Sequence, residues 1–227
     1  MRRSVSAHNN RGICAVQEIT AINLEHKGRK KHRVVCLDGG SGLTITEETY
    51  LKFGLSVGQI LTEAEQREIE TGDGVIRARE AALRLLNTRM RSRKELAQRL
   101  SQKGYSDEVV EQVLDVLLRT GVVDDDQFAR AWVTDRLRLR PAGMGLLRSE
   151  LRCKGISDEI ITRILNEHKD DDETERAWML LSKRKTRYTG IDPQVARRRM
   201  MGFLARRGFD GQTMHTVVRR MLEETKG

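Results

Sequence analysis

The plan of the chain is visible in residues 91–118, which read RSRKELAQRLSQKGYSDEVVEQVLDVLL. This stretch predicts two short helices joined at Gly104. Ser92 can cap the first helix, and Glu95, three positions later, completes a capping box. Glycine readily takes the left-handed backbone that ends a helix, and Ser106 can cap the helix that follows. The stretch therefore predicts a pair of capped helices with a glycine turn between them.

The same plan recurs around two later glycines, Gly155 and Gly208, at offsets of 155 − 104 = 51 and 208 − 155 = 53 residues. In each copy a leucine lies four positions before the glycine, a base directly before it and a large apolar residue directly after it. The three sets are Leu100, Lys103 and Tyr105; Leu151, Lys154 and Ile156; and Leu204, Arg207 and Phe209. Three aligned copies indicate an internal repeat.

The pattern from residue 75 onward is helical, with three helices in each unit. It predicts a mainly α protein of tandem three-helix repeats, preceded by a small α+β module. We define the N-terminal module as residues 1–74, repeat 1 as residues 75–122, repeat 2 as residues 123–169 and repeat 3 as residues 174–225.

The N-terminal module is predicted from alternating apolar residues and turn signals. The first ten or so residues are expected to be disordered. Strands are predicted at residues 12–22 and 33–37, with the charged segment HKGRKKH as the turn between them, and LTIT adds a third strand after the Asp38-Gly39-Gly40 turn. Thr46 is predicted to cap a helix through Phe53, and Thr62 a helix to about Glu70. A linker is predicted at residues 71–74.

Helix start and stop signals divide the repeats further. The leading helix of repeat 1 is predicted at residues 77–90, with Leu83, Leu86 and Met90 at the helical spacings of three and four. In repeat 2, Asp124 is the predicted cap of a long helix, and Gln127 is its capping-box partner. A break then follows at Pro141 and residues 143–145. In repeat 3, helices are predicted at residues 174–185, after the Asp192-Pro193 start signal, and at residues 212–224.

The net charge of +9 lies entirely in the repeats, because residues 1–75 carry ten basic and ten acidic side chains. A basic, arginine-rich body points to a polyanion or an acidic protein surface as partner. Cys14, Cys36 and Cys153 are odd in number and far apart, which argues against a disulfide framework or a zinc site and favours free thiols in the cytoplasm. We expect no secretory signal and no membrane span.

Catalytic and cofactor motifs do not stand out, so we predict no catalytic residues, no cofactor and no metal. The histidines are scattered without ligand spacing. The carboxylates of Asp124, Asp125 and Asp126 are better explained by helix capping than by metal binding. The acidic run at residues 170–173 is interpreted as a solvated linker. Trp132 and Trp178, at equivalent places in their helices, are expected to pack on the core.

The candidate binding residues are chosen by charge alone, because several basic clusters recur on one scaffold. A lone run of this kind is usually a solvated face. They are Arg89, Arg91, Arg93, Lys94, Lys103, Arg136, Arg138, Arg140, Lys154, Lys183, Arg184, Lys185, Arg187, Arg197, Arg198, Arg199, Arg206 and Arg207.

Three spaced motifs carry a resemblance to a known family. They are R-x-R-S-R-K-E-L-x-x-R-L-x-x-K-G-Y at residues 89–105, G-V-V-D-D-D-x-F-A-R-A-W at residues 121–132 and L-R-x-E-L-x-x-K-G-I at residues 147–156. The combination resembles the RecX family of bacterial recombination regulators over about residues 77–222. The N-terminal module is similar to a strand-rich extension found on some members. The long TRYTGIDP connection departs from the pattern and makes the register of repeat 3 the least secure.

The resemblance implies three-helix repeats in an elongated, curved body and a non-enzymatic regulator. Such a protein binds the filament of the RecA recombinase on single- or double-stranded DNA and restrains filament growth, ATP hydrolysis and strand exchange. We expect a monomer. Two rival hypotheses remain open. One is a stand-alone DNA-binding protein with helix-turn-helix-like repeats. The other is an enzyme whose activity would depend on Asp124, Asp125 and Asp126.

Overall fold

The computed structural model describes residues 16–28, 30–40, 42–168 and 173–226. The predicted N-terminal disorder, the start of the first predicted strand and the acidic run at residues 170–172 lie outside these ranges. The predicted fold class is confirmed, since the described chain is mainly helical and its strands all lie in the N-terminal module. The chain divides into two compact units, Met1–Leu85 with Leu100–Val113 and Leu86–Arg99 with Leu114–Gly227.

The first unit contains a four-stranded sheet in the order β3-β2-β1-β4. The strands are β1 at Val16–Lys27, β2 at Lys30–Leu37, β3 at Gly42–Thr46 and β4 at Ile60–Thr62. All neighbouring pairs are antiparallel. Successive side chains of a strand face opposite sides. Ile19, Val35 and Ile45 therefore lie on one face, where they form a core with Ile69.

The predicted charged turn at HKGRKKH lies in that segment but is shorter than expected, since β1 ends at Lys27 and β2 begins at Lys30. His26 pairs with Lys31 and Lys27 with Lys30, so the segment belongs largely to the ends of β1 and β2. Backbone hydrogen bonding between the two strands does not depend on side-chain charge, so the charged residues on both sides of the turn still pair. The third predicted strand is confirmed as β3.

Two helices complete the module and lead into repeat 1. They are α1 at Glu47–Phe53 and α2 at Glu63–Leu86. Thr46 caps α1 as predicted, since its hydroxyl accepts from the Thr49 amide at 3.2 Å. The predicted helix end near Glu70, the linker at residues 71–74 and the separate helix at residues 77–90 were wrong, because α2 is continuous from Glu63 to Leu86.

Gly72 and Gly74 lie inside α2 because neighbouring side chains occupy the space that their own would need. A Cβ atom on Gly72 would lie 2.9 Å from the Phe53 ring, and one on Gly74 would lie 3.3 Å from Val109. These glycines are packing positions and do not break the helix. The apolar residues whose spacing predicted this helix do not form its buried face. Leu83 and Met90 are exposed, Met90 lies beyond the end of the helix, and the buried residues of α2 are Ile69, Asp73, Ile76, Ala78, Ala81 and Ala82.

The helices of the repeats follow in the predicted order. They are α3 at Arg93–Ser101, α4 at Asp107–Arg119, α5 at Asp125–Leu139, α6 at Met144–Cys153, α7 at Asp158–Glu167, α8 at Glu173–Ser182, a 3₁₀ turn at Lys185–Arg187, α9 at Pro193–Ala205 and α10 at Gly211–Lys226. Two boundaries differ from prediction. The break at residues 143–145 is shorter, since α6 begins at Met144, and the helix predicted at 174–185 ends at Ser182.

The three glycine turns are confirmed. Gly104, Gly155 and Gly208 have φ angles of +89°, +81° and +78°. In each turn the amide just after the glycine donates to the carbonyl of the aligned leucine, which closes the end of the helix. The three aligned leucines are completely buried; they are Leu100, Leu151 and Leu204. The repeat seen in the sequence is therefore a repeat in backbone geometry.

Repeats 2 and 3 each have a hydrophobic core of their own. The core of repeat 2 includes Phe128, Leu147 and Ile161, and that of repeat 3 includes Leu181, Met200 and Val217. Trp132 and Trp178 are partly buried against these cores, which confirms the predicted packing role. Such packing supplies most of the stability of short helices, which are marginal alone.

Candidate nucleic-acid interface

The predicted cluster at the start of α3 is largely engaged in contacts within the second unit. Arg89 donates to Glu95 at 2.9 Å. The Arg91 side chain is half-buried, and burial lowers its pKa, with the nearby charge of Arg89 adding to the effect. The Arg93 amide donates to an Asp125 carboxylate oxygen at 2.8 Å. The alkyl chain of Lys94 covers Gly155. Lys94 is the exposed member that lacks an acidic partner within the described ranges.

Lys154, which was predicted as a binding residue, lies in a network that joins α3 to repeat 2. Its ammonium group is 2.6 Å from Glu95 and 4.1 Å from the centre of the Trp132 ring. Burial alone would raise the pKa of Glu95, but hydrogen bonds from Arg89 and Lys154 outweigh burial and hold that pKa below its usual value. Lys154 is therefore positioned to stabilise the fold, and little of its charge faces solvent.

The basic residues of α5 are similarly divided. The Arg136 guanidinium forms an ion pair with Glu150, whose carboxylate also accepts from the Trp132 indole at 3.0 Å. Arg138 is exposed and lies 3.5 Å from Asp135, and an ion pair between exposed side chains adds little to stability. Arg140, at the end of the helix, is exposed, and no acid pairs with it in the described chain.

In repeat 3 some cations lie on an aromatic ring and others are open to solvent. Arg184 and Arg207 lie 4.2 Å and 5.6 Å from the centre of the Phe203 ring, and Lys185 is 3.3 Å from Glu224. The remaining predicted residues of this repeat are exposed and form no ion pair among the described residues. They are Lys183, Arg187, Arg197, Arg198, Arg199 and Arg206.

A shallow cavity of about 420 Å³ lies between α9 and α10. Arg197 lines it from α9, and basic, polar, apolar and acidic residues line it from α10: His215, Thr216, Val218, Arg219, Leu222 and Glu223. Arg219 did not figure among the sequence candidates. The basic pair in VVRRML lies between buried Val218 and Met221, so its helical spacing could have indicated that both arginines face outward.

Arg220, the second member of that pair, lies 4.0 Å from the centre of the Trp178 ring. A guanidinium over an indole retains its charge and its outer N–H groups, so it can still meet an anion. With Arg219 and Arg220 of α10 added to the exposed bases of α9 and of its C-terminal cap, six exposed arginines belong to this helix pair, and two of them, Arg197 and Arg219, line the same cavity. We name the group Arg197, Arg198, Arg199, Arg206, Arg219 and Arg220 the α9–α10 cationic group.

The carboxylates at the start of α5 have separate partners. Asp124 caps α5 by accepting from the amides of residues 126 and 127. Asp125 accepts from Arg93, and Asp126 pairs with Arg130 and Arg163. Across the described residues, no group of three or more His, Cys, Asp or Glu side chains is arranged to hold a metal ion. The exposed arginines and lysines described above, by contrast, are able to bind phosphates or carboxylates.

Fold and composition together define a helical tandem-repeat protein with a strand-containing N-terminal module. The family description "RecX, first three-helix domain" matches residues 78–117, the second three-helix domain matches residues 124–165, and the third matches residues 170–218. The chain belongs to the RecX family, whose members are regulatory proteins.

Individual relatives agree with this assignment. The regulatory protein RecX of Amycolatopsis mediterranei is 36% identical over 148 residues, which cover 65% of this chain and 85% of that protein. That of Geobacillus thermodenitrificans is 32% identical over 185 residues, or 82% and 67% of the two chains. A crystal structure of regulatory protein RecX superimposes with a TM-score of 0.70 at 25% identity, covering 88% of this chain and 98% of the other. RecX from Lactobacillus salivarius shares the fold, with a TM-score of 0.60 at 21% identity over 66% of this chain and 97% of that one.

None of the helices in the described ranges is long and apolar enough to cross a membrane.

Proposed function

We propose that this protein regulates homologous recombination by binding the RecA recombinase filament on DNA and restraining filament growth, ATP hydrolysis and strand exchange, without catalysing a reaction itself. Membership of a family of regulatory proteins is the observation that carries the proposal. The exposed arginines support it, since a recombinase filament on DNA offers phosphates and acidic side chains. We further propose that the protein acts as a cytoplasmic monomer. Its two described cysteines, Cys36 and Cys153, are free thiols, which suits a reducing compartment.

The test adds purified full-length protein to recombinase filaments assembled on single-stranded DNA and follows ATP hydrolysis, strand exchange and filament length. Restraint of all three at protein concentrations well below that of the recombinase supports the proposal. Unchanged hydrolysis and exchange at stoichiometric concentrations would remove it. Sedimentation of the free protein reports whether it is a monomer.

A second candidate function is stand-alone binding of DNA, favoured by the α9–α10 cationic group. Each phosphate neutralised on double-stranded DNA steepens the fall of affinity with salt by about 0.9 in the logarithmic slope. We expect the variant Arg197→Gln/Arg219→Gln to lose about 1.5 to 2 units of that slope. The matched control, Arg67→Gln/Arg84→Gln, changes two exposed arginines of α2 and is expected to leave the slope unchanged.

The two functions are separated by comparing these variants in both assays. If the variant of α9 and α10 binds DNA weakly but still restrains the recombinase, contacts with the recombinase carry the regulation. If both properties fail together while the control retains them, the same arginines serve both. Equal behaviour of variant and control in both assays would exclude the two arginines from either role.

A further inference from the structure

A recurring hydrogen bond joins each repeat to the one after it, and it first appears between repeats 1 and 2. The backbone amide of Arg93, in the first turn of α3, donates to the Asp125 carboxylate at 2.8 Å. Beside it the Ser92 hydroxyl donates to the Lys154 carbonyl at 2.7 Å. The second helix of repeat 1 thus begins against an acid from the first helix of repeat 2 and against the glycine turn of that repeat.

The junction between repeats 2 and 3 has the same design. The Met144 amide, in the first turn of α6, donates to the Glu173 carboxylate at 3.1 Å. The Gly143 amide donates to the Arg207 carbonyl at 2.8 Å. Lys154 and Arg207 occupy the same position, directly before their glycines. In both junctions the first-turn acid is partly desolvated, and burial raises the pKa of Asp125 and Glu173 while the donated amides oppose that rise.

Helix α2, which leads into repeat 1, carries an acid in the corresponding place, although it is preceded by a strand-containing module and not by a three-helix repeat. Asp73 lies 104 − 73 = 31 residues before its glycine, beside 155 − 125 = 30 for Asp125 and 208 − 173 = 35 for Glu173. Asp73 is only 5% exposed. It accepts from the Thr46 amide at 2.6 Å and from the Thr49 hydroxyl at 2.7 Å. Thr46 is the cap of α1, so the donor is again the backbone at the start of a helix.

Further contacts within the first unit hold α1 and the preceding strand β3 against α2. Arg79 of α2 donates to both carboxylate oxygens of Glu48 at 2.7 and 2.8 Å, and Arg77 donates to the Thr44 carbonyl. The close approach of Phe53 to Gly72 fixes the other end of α1. These contacts run from Glu48 at the start of α1 to Phe53 at its end, so they do not depend on one hydrogen bond.

We propose that the N-terminal module caps the repeat array. The start of α1 donates to an acid of the first helix of repeat 1, just as the starts of α3 and α6 donate to acids of the first helices of repeats 2 and 3. A terminal repeat has one face with no neighbouring repeat to cover it, and repeat proteins require a distinct cap there. The inference does not depend on the proposed function, because it concerns what holds repeat 1 folded. The neutral charge of residues 1–75 suits a structural role for the module.

The start of α9 in repeat 3 differs from the starts of α3 and α6. The first residue of α9 is Pro193, which has no N–H, so the hydrogen bond that Arg93 and Met144 make to a following acid cannot form here. The Asp192 carboxylate is already occupied by the amides of Gln194 and Val195, at 2.9 and 3.0 Å. Repeat 3 therefore lacks the donor for a fourth junction.

Amide hydrogen exchange on the full-length chain tests the capping role, with Asp73→Ala, Thr49→Val and the comparator Asp125→Ala. Thr49→Val removes one hydroxyl donor and preserves side-chain volume, so it remains informative if Asp73→Ala fails to fold. We expect either change to accelerate exchange in α1 and in the part of α2 after residue 74 together, about tenfold or more for Asp73→Ala, while α9 and α10 keep their protection. Asp125→Ala should do the same to α3.

The matched control is Glu63→Gln, which removes an exposed acid at the start of α2 and should leave exchange unchanged. If the strands and α1 lose protection while residues 75–86 retain theirs, the module is an appendage and the proposal fails. Unchanged exchange throughout in both Asp73→Ala and Thr49→Val would overturn it equally.

Discussion

In repeat 2, Lys154 and Arg136 lie against Trp132 and are each bonded to a glutamate. In repeat 3, the aligned Arg207 lies over Phe203, and exposed arginines of α9 meet no acid in the parts of the chain that the structure describes. The two repeats share one helix plan but differ in where positive charge is neutralised. A base aligned by sequence can therefore be structural in one repeat and available to a partner in the next.

The largest expected effect concerns the glycine turns that the repeats share. A Cβ atom on Gly208 would overlap the Leu146 backbone, whereas one on Gly104 would meet nothing within 4 Å. Gly104→Ala should cost about 1 to 2 kcal/mol, from the left-handed backbone alone. Gly208→Ala should cost more than about 3 kcal/mol, because overpacking adds to that strain.

Urea denaturation of both variants measures this difference, and Gly155→Ala should lie between them, since its clash is with the Lys94 side chain. Equal losses of unfolding free energy for Gly104→Ala and Gly208→Ala would contradict the close contact between Gly208 and Leu146.

A smaller effect is expected from the aligned bases. Lys154→Met should destabilise the protein by about 2 kcal/mol, because it removes a charged hydrogen bond to a mostly buried carboxylate. Arg207→Met should cost less than about 1 kcal/mol, because the side chain loses mainly its contact with Phe203. Thermal and urea unfolding of the pair provide the measurement. A larger loss for Arg207→Met would reverse the comparison between the repeats.

The pH dependence of the Glu95 contribution sharpens the same comparison. The folded-state pKa of Glu95 lies below 4.5, so its ion pairs contribute stability that is fully present above about pH 4.5 and is lost as the pH falls through the folded pKa. We expect Glu95→Gln to cost about 1 to 2 kcal/mol at pH 7 and progressively less at acid pH. Urea titrations of wild type and variant from pH 7 to pH 3 measure the gap, and a gap independent of pH would contradict the ion-pair role.

The smallest effect on stability is expected at the exposed arginines of repeat 3. Arg198→Gln should change the free energy of unfolding by less than about 0.5 kcal/mol, because the side chain is exposed and has no described partner. The same substitution should lower the salt slope of DNA binding by up to about 0.9. Unfolding and DNA titration on one preparation check both expectations. Marked destabilisation would place Arg198 among the structural bases.

Much of the fold was accessible from local sequence signals. The caps at Ser92, Asp124 and Asp192 and the three glycine turns were predicted correctly because each depends on the backbone preference of one or two residues. The error at residues 71–74 has the opposite cause. Gly72 and Gly74 signal a linker locally, but Phe53 and Val109 pack where side chains would be, and the helix continues.

The candidate site was less accessible. Charge identified the basic residues but could not separate Lys154, which binds Glu95 from a segment 59 positions away, from Arg198, which remains exposed. That distinction depends on long-range neighbours. Arg219 and Arg220 were missed because they occur as an isolated pair, and only the placement of α9 beside α10 adds them to a larger group.

The sequence by itself determined the number of repeats, their glycine turns, most helix starts and the family, because these follow from local backbone preferences and spacing. Tertiary structure alone decided which cations are neutralised, why Gly72 and Gly208 have no side chain, and that Asp73 accepts from the start of α1. Those features depend on groups far apart in the chain, whose approach is set by packing and by the requirement that buried polar atoms find partners.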